Sequence, residues 1–118
     1  MGYQRVSLDD VDRHELDDIG PDLLPIGIEL RPAEMRPSVW AYEVGETSNR
    51  HFQQEQEELY VPLEGEFALE FEAETIELEP GDYVVVDPGT TRQVTARTDG
   101  RLLVVGAPNT KDDGVVVE

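Results

Sequence analysis

The chain has no cysteine and almost no lysine. Without cysteine there is no disulfide framework, no thiolate metal site and no cysteine nucleophile. Positive charge is scarce: 9 Lys plus Arg stand against 27 Asp plus Glu in 118 residues, a formal charge of −18. Lys111 is the only lysine. So acidic a surface repels nucleic acid and anionic membranes. Long hydrophobic runs are missing too, and none approaches the ~20 residues of a membrane-spanning helix. The N-terminus lacks the basic and apolar regions of a signal peptide, which points to a cytoplasmic protein. There are two histidines, His14 and His51, and neither adjoins a nucleophile elbow, so no Ser/His/Asp triad is available. No phosphate-loop, dinucleotide-binding or zinc-finger spacing occurs.

Hydrophobic residues make up 38% of the chain, enough for the modest core of one domain. They alternate regularly, which excludes disorder as the meaning of the charge. The acidic excess reads instead as a folded domain suited to a high-salt cytoplasm, where ~1 M salt screens self-repulsion beyond ~3 Å.

Residues 1–24 read as an N-terminal arm lying across the domain. Val6 to Asp12 opens either a short strand or one helical turn, and His14 lies on the surface. A barrel domain follows over 25–108, with a turn-rich tail over 109–118. From Pro25 the pattern is period two: Ile26, Ile28 and Leu30 alternate with Gly27, Glu29 and Arg31. Trp40 and Tyr42 share one face of the next strand. Phe67, Leu69 and Phe71 oppose Glu66, Glu70 and Glu72, as in a strand with one buried face and one acidic face. Tyr83 to Val86 is a continuous apolar run, expected of a strand buried on both faces. Strands follow at Gln93 to Ala96 and Arg101 to Val105, and Val115 to Val117 adds a short terminal one. Short strands separated by Gly and Pro turns predict an all-β sandwich or barrel. The glutamates between Glu55 and Glu79, Glu58 apart, read as a solvated face and turns, not as acid/base pairs.

Two segments carry a family resemblance. Gly45, His51, Glu58 and Gly65 stand in one, and Gly81, Asp87, Gly89 and Arg92 in the other. Their spacing resembles the two motifs of the cupin superfamily over roughly residues 38–106, with Gln53 in place of the first motif's second His and Arg92 in place of the second motif's His. The resemblance implies an antiparallel β-barrel of the double-stranded β-helix or jelly-roll type. It implies no single activity, because cupins include isomerases, dioxygenases and binding proteins.

In metal-binding cupins the motif His and Glu side chains converge inside the barrel on Fe, Mn, Ni or Zn. Here His51, Gln53 and Glu58 are the possible metal ligands. A Gln amide oxygen is a weak donor, and a guanidinium has no lone pair to give. No cofactor is therefore expected, unless a divalent metal binds His51, Gln53 and Glu58. Three roles stay open for Arg92: pairing with Glu58, offering an anion-binding fork in the pocket, or turning into solvent. Alternation places Tyr60 and Pro62 inward with Glu58, and Trp40 with Tyr42 at the cavity. Leu59, Val61 and Leu63 then face outward, against a second sheet or a homodimer partner. The expected ligand pocket is His51, Gln53, Glu58, Tyr60, Arg92 and Trp40, holding a small molecule, anionic if Arg92 is its fork.

Overall fold

The computed structural model describes residues 2–17 and 19–118. Among the described residues ten strands run in chain order: β1 (Asp22–Leu24), β2 (Arg36–Tyr42), β3 (His51–Gln53), β4 (Glu57–Glu64), β5 (Phe67–Glu70), β6 (Thr75–Leu78), β7 (Val84–Val86), β8 (Gln93–Ala96), β9 (Gly100–Ala107) and β10 (Gly114–Val116). One helix, α1 (Ile26–Leu30), joins β1 to β2. All pairings are antiparallel. The largest sheet has the order β1-β2-β9-β4-β7, the second β6-β5-β8, and β10 pairs with β3.

Four glycines allow these turns. Gly45, Gly65, Gly81 and Gly89 have φ of 87°, 82°, 104° and 81°, a region that a side chain disfavours. They are the glycines of the two sequence motifs. At Gly65 a Cβ would also lie 2.5 Å from the Asp99 carbonyl oxygen, so that turn is closed to any other residue.

Between the sheets lies the main core, built on Phe67, Leu69, Leu102, Val94, Tyr42 and Tyr60. Phe67 and Leu69 are wholly buried, each worth roughly 1.5–3 kcal/mol of transfer free energy. Tyr42 and Phe67 meet edge to face, their centroids 5.3 Å apart. The period of β2 divides its residues between two environments. Arg36, Ser38, Trp40 and Tyr42 face a cavity, whereas Val39 and Ala41 pack outward on Val11, Leu24, Val6 and Leu8. The N-terminal segment is therefore a cover over the outer face of β2. Its residues Leu8–Asp10 form a single 3-10 turn, and Asp22–Leu24 join the sheet as an edge strand.

Two expectations need correction. Ile26–Leu30 is a helix, not a strand. Ile26 and Leu30 are also spaced i, i+4, and with Pro25 at the N-cap the five residues satisfy the helical pattern as well as the alternating one. Tyr83–Val86 is not buried on both faces. β7 is the last strand of its sheet, and Tyr83 and Val85 are 71% and 55% exposed. Outside the barrel, Leu59 and Val61 are half-buried and Leu63 is exposed. No described helix is long and apolar enough to cross a membrane.

Candidate functional site

The two motif segments lie side by side. His51 and Arg92 exchange backbone hydrogen bonds, N–H to O at 3.0 and 2.8 Å. β4 brings Glu58 and Tyr60 to the same wall of the cavity, whose volume is about 670 Å³. Its floor is buried, with Tyr42, Tyr60, Val94, Leu102 and Val104. Its rim is exposed, with Ile28, Arg31, Met35, Arg36 and Val116.

Arg92 does not reach this cavity. Its side chain is 0% exposed and lies behind Glu58 and Tyr60. Nε donates to the Tyr60 hydroxyl at 3.0 Å, Nη1 to the Thr90 carbonyl at 2.8 Å, and Nη2 to Glu58 Oε1. The guanidinium carbon also sits 5.8 Å from the Tyr60 ring centroid. Of the roles left open by the sequence, the structure selects the ion pair with Glu58. The anion-binding fork and the solvent-facing conformer are not formed.

Glu58 is held on one oxygen. Oε1 accepts from Arg92 and from the Tyr60 hydroxyl at 2.8 Å, and His51 Nε2 lies 3.7 Å away. Among the described residues Oε2 has no partner, and no buried side-chain oxygen lacks one, so Oε2 is open to the cavity. Burial opposes ionisation of Glu58 most strongly. His51, Arg92 and Tyr60 together outweigh it and hold the carboxyl below its usual range. Burial beside that carboxylate pushes the Tyr60 phenol well up, so it stays a neutral donor. Arg92 keeps its charge: burial disfavours it, and Tyr60 and Glu58 more than offset the penalty.

His51 Nδ1 lies 3.0 Å from the Asn49 carbonyl oxygen. A carbonyl only accepts, so Nδ1 carries an N–H towards Asn49, and Nε2 is turned towards Glu58.

Gln53 is buried at the cavity wall, but its amide serves another purpose. Nε2 donates to Gln56 Oε1 at 2.8 Å and to Asp113 Oδ2 at 3.5 Å. Asp113 in turn accepts the backbone N–H of Glu55 at 3.0 Å and of Gln56 at 2.8 Å. Gln56 Nε2 donates to the carbonyls of Pro108 and Thr110 at 3.0 and 3.2 Å. This buried network fastens the C-terminal segment, and β10 with it, onto the strand that carries His51. Gln56 has a sequence signal, because it continues the inward series Glu58, Tyr60, Pro62. Asp113 has none, since its partners are ~60 residues away and lie across the barrel.

Trp40 lines the cavity and donates Nε1–H to Ser38 Oγ at 3.0 Å. His14 is exposed on the N-terminal segment and takes no part.

Comparison with known proteins agrees with this architecture. The cupin domain family matches residues 38–106, more than half of the chain. The chain belongs to the cupin family. No curated protein sequence matches it. Similar solved cupin folds include a sugar phosphate isomerase of the cupin superfamily from Silicibacter pomeroyi, with 24% identity, 90% of this chain and 76% of that chain covered, and a TM-score of 0.77. The polyketide cyclase RemF from Streptomyces resistomycificus shares 19% identity over 98% of this chain and 85% of its own, with a TM-score of 0.78. Streptomyces PAC13, in a structure with uridine, shares 17% identity over 100% and 93%, with a TM-score of 0.79. At these identities the likeness is one of fold.

Many cupins bind a metal, and the donor set here does not suit one. Among the described residues no three His, Cys, Asp or Glu side chains are grouped to hold an ion. Glu58 Oε1 is taken by Arg92 and Tyr60, the Gln53 amide is held through its nitrogen by Gln56 and Asp113, and a permanent cation stands beside the carboxylate. A second positive charge at that point would be repelled.

Proposed function

We propose that this cupin holds a small polar organic molecule in its barrel without a resident metal, and that His51 exchanges a proton with it. The observation that carries the reading is the Arg92–Glu58 pair. It neutralises inside the wall the carboxylate that would otherwise serve a metal. What remains accessible is His51 Nε2 and Glu58 Oε2, an acid/base pair at the cavity surface. A cavity of about 670 Å³ suits a small molecule. The names of the fold neighbours, an isomerase, a cyclase and a protein with uridine, are consistent with ligands of that size. Metal analysis of protein purified without chelator tests the proposal. Stoichiometric Fe, Mn, Ni or Zn would sink it.

The alternative is a metal-dependent isomerase or dioxygenase using His51, Gln53 and Glu58. It is favoured only by all three lining one cavity. It requires His51→Ala to lose metal and turnover together.

A further inference from the structure

The carboxylates of this chain outnumber its cations three to one, yet the cavity inverts the ratio. Of 27 Asp and Glu, only Glu58 lines it among the described residues, whereas Arg31 and Arg36 are two of only nine Lys and Arg. The one carboxylate is already offset by Arg92 within the wall. Arg31 and Arg36 have no ion pair among the described residues, while Arg13, Arg50, Arg92, Arg97 and Arg101 do.

Both arginines are set by the backbone. Arg31 is the C-cap of α1 and adopts φ 53°, ψ 52°, a left-handed conformation usually left to Gly or Asn. Such strain in a charged residue at a cavity rim fits a binding role. Arg36 begins the inward face of β2, and its Nη1 donates to the Thr110 carbonyl at 2.8 Å, which steadies the guanidinium and leaves its other donors free. The register then gives a scale. Arg36 pairs with Gly106, and Gly106 pairs with Glu58. Two strand spacings of ~4.8 Å separate Arg36 from Glu58, about 10 Å between Cα atoms. The residue between them has no side chain, and the Gln56 amide fills the place beside it, its Oε1 2.8 Å from where a Cβ would lie, so a bound molecule would reach from Arg36 to Glu58 over that amide.

We infer that the cavity selects an organic anion, with its carboxylate or phosphate head on Arg31 and Arg36 and a ring-sized body reaching His51 and Glu58. The body rests on Trp40 and Met35 at the same cavity wall. This inference rests on the pocket proposed above and adds the charge of its ligand. The overall charge of −18 does not forbid it. At physiological salt the field of distant carboxylates is screened within ~8 Å, so the two rim cations dominate locally.

Three probes of equal bulk test it: cyclohexanecarboxylate, cyclohexyl phosphate and the neutral cyclohexanecarboxamide. Binding is read by calorimetry and by the fluorescence of Trp40, the only tryptophan. The parent protein should prefer either anion over the carboxamide by about tenfold, as expected of two partly exposed charge contacts. Arg31→Asn with Arg36→Gln should abolish the preference, bringing both anions down to the affinity of the carboxamide, and Arg36→Lys should retain most of it. Asn tolerates the left-handed backbone, and should the double variant melt early, Arg36→Gln alone serves. Equal affinity for all three probes, or a preference surviving in the charge-free variants, overturns the inference while leaving the pocket standing. Failure of the parent to bind any probe overturns it together with the pocket.

Discussion

Replacing Arg92 with Met removes a buried cation and keeps most of its volume. Glu58 is then left 14% exposed in a hydrophobic wall with its charge uncompensated, and Tyr60 and Thr90 lose their hydrogen-bond donor. Breaking a buried pair by removing one partner costs about 3–5 kcal/mol, against a total stability on the order of 5–15 kcal/mol. The loss also depends on pH. In the parent, the Glu58 pKa lies below its unfolded value, so its contribution is complete above pH ~4.3 and vanishes only as pH falls through the folded value. In the variant, burial is opposed only by His51 and Tyr60, and the folded pKa is expected to rise above the unfolded one. Stability is then retained at low pH and lost as pH rises through the raised value.

The deficit relative to parent should therefore grow from pH 5.5 to pH 8, a range chosen above the isoelectric point of about 4.2. Urea unfolding followed by Trp40 fluorescence measures it, with the slope checked for constancy. Adding Glu58→Gln to Arg92→Met should recover most of the stability, because the unpaired charge is gone. A deficit under about 1 kcal/mol, a deficit equal at both pH values, or no recovery in the double variant would refute the ion-pair account.

Restoring both motif histidines with Gln53→His and Arg92→His should convert a protein with sub-stoichiometric metal into one that retains a divalent ion, read by elemental analysis after dialysis. Asp113→Asn should weaken the charge-assisted bonds to the Glu55 and Gln56 N–H groups, cost about 1.5–3 kcal/mol, and raise hydrogen exchange across β10 before the rest of the sheet. Gly65→Ala, whose Cβ meets backbone at 2.5 Å, should destabilise strongly, while Gly89→Ala, equally positive in φ but facing open space, should cost only about 1 kcal/mol of backbone strain in thermal melts.

Much of the fold was legible because its turns depend on glycine. Gly45, Gly65, Gly81 and Gly89 could be located by spacing, and each occupies a backbone region that specifies a turn. The alternation in β2, β4 and β5 likewise predicted which side chains face inward, Glu58, Tyr60, Trp40 and Phe67 among them. The pattern failed where it was too short or too uniform to decide. Five residues, Ile26–Leu30, fit both periods, and the prolines around them decided for a helix. The run Tyr83–Val86 carries no information about which strand lies at a sheet edge, since that is a property of topology.

The candidate site shows the same division. His51 and Glu58 could be placed by motif spacing, and the Arg92–Glu58 pair was one of three arrangements open to a cation at that position. Its burial could not be anticipated, because it depends on Tyr60 and Thr90 closing around the guanidinium from two different segments. The scarcity of cations singles out the arginine of the second motif as a candidate receiver of an anionic ligand. The structure separates the two ideas. Arg92 is consumed by the wall, and the cations that face the cavity are Arg31 and Arg36, carried there by a left-handed helix cap and by the first residue of a strand. A guanidinium with Glu58 as its partner cannot also bind a ligand strongly without breaking that pair, whereas Arg31 and Arg36 have no such pair to lose among the described residues. Neutralising the inner wall with one arginine and charging the rim with two others makes the cavity attractive to anions within a protein that repels them everywhere else.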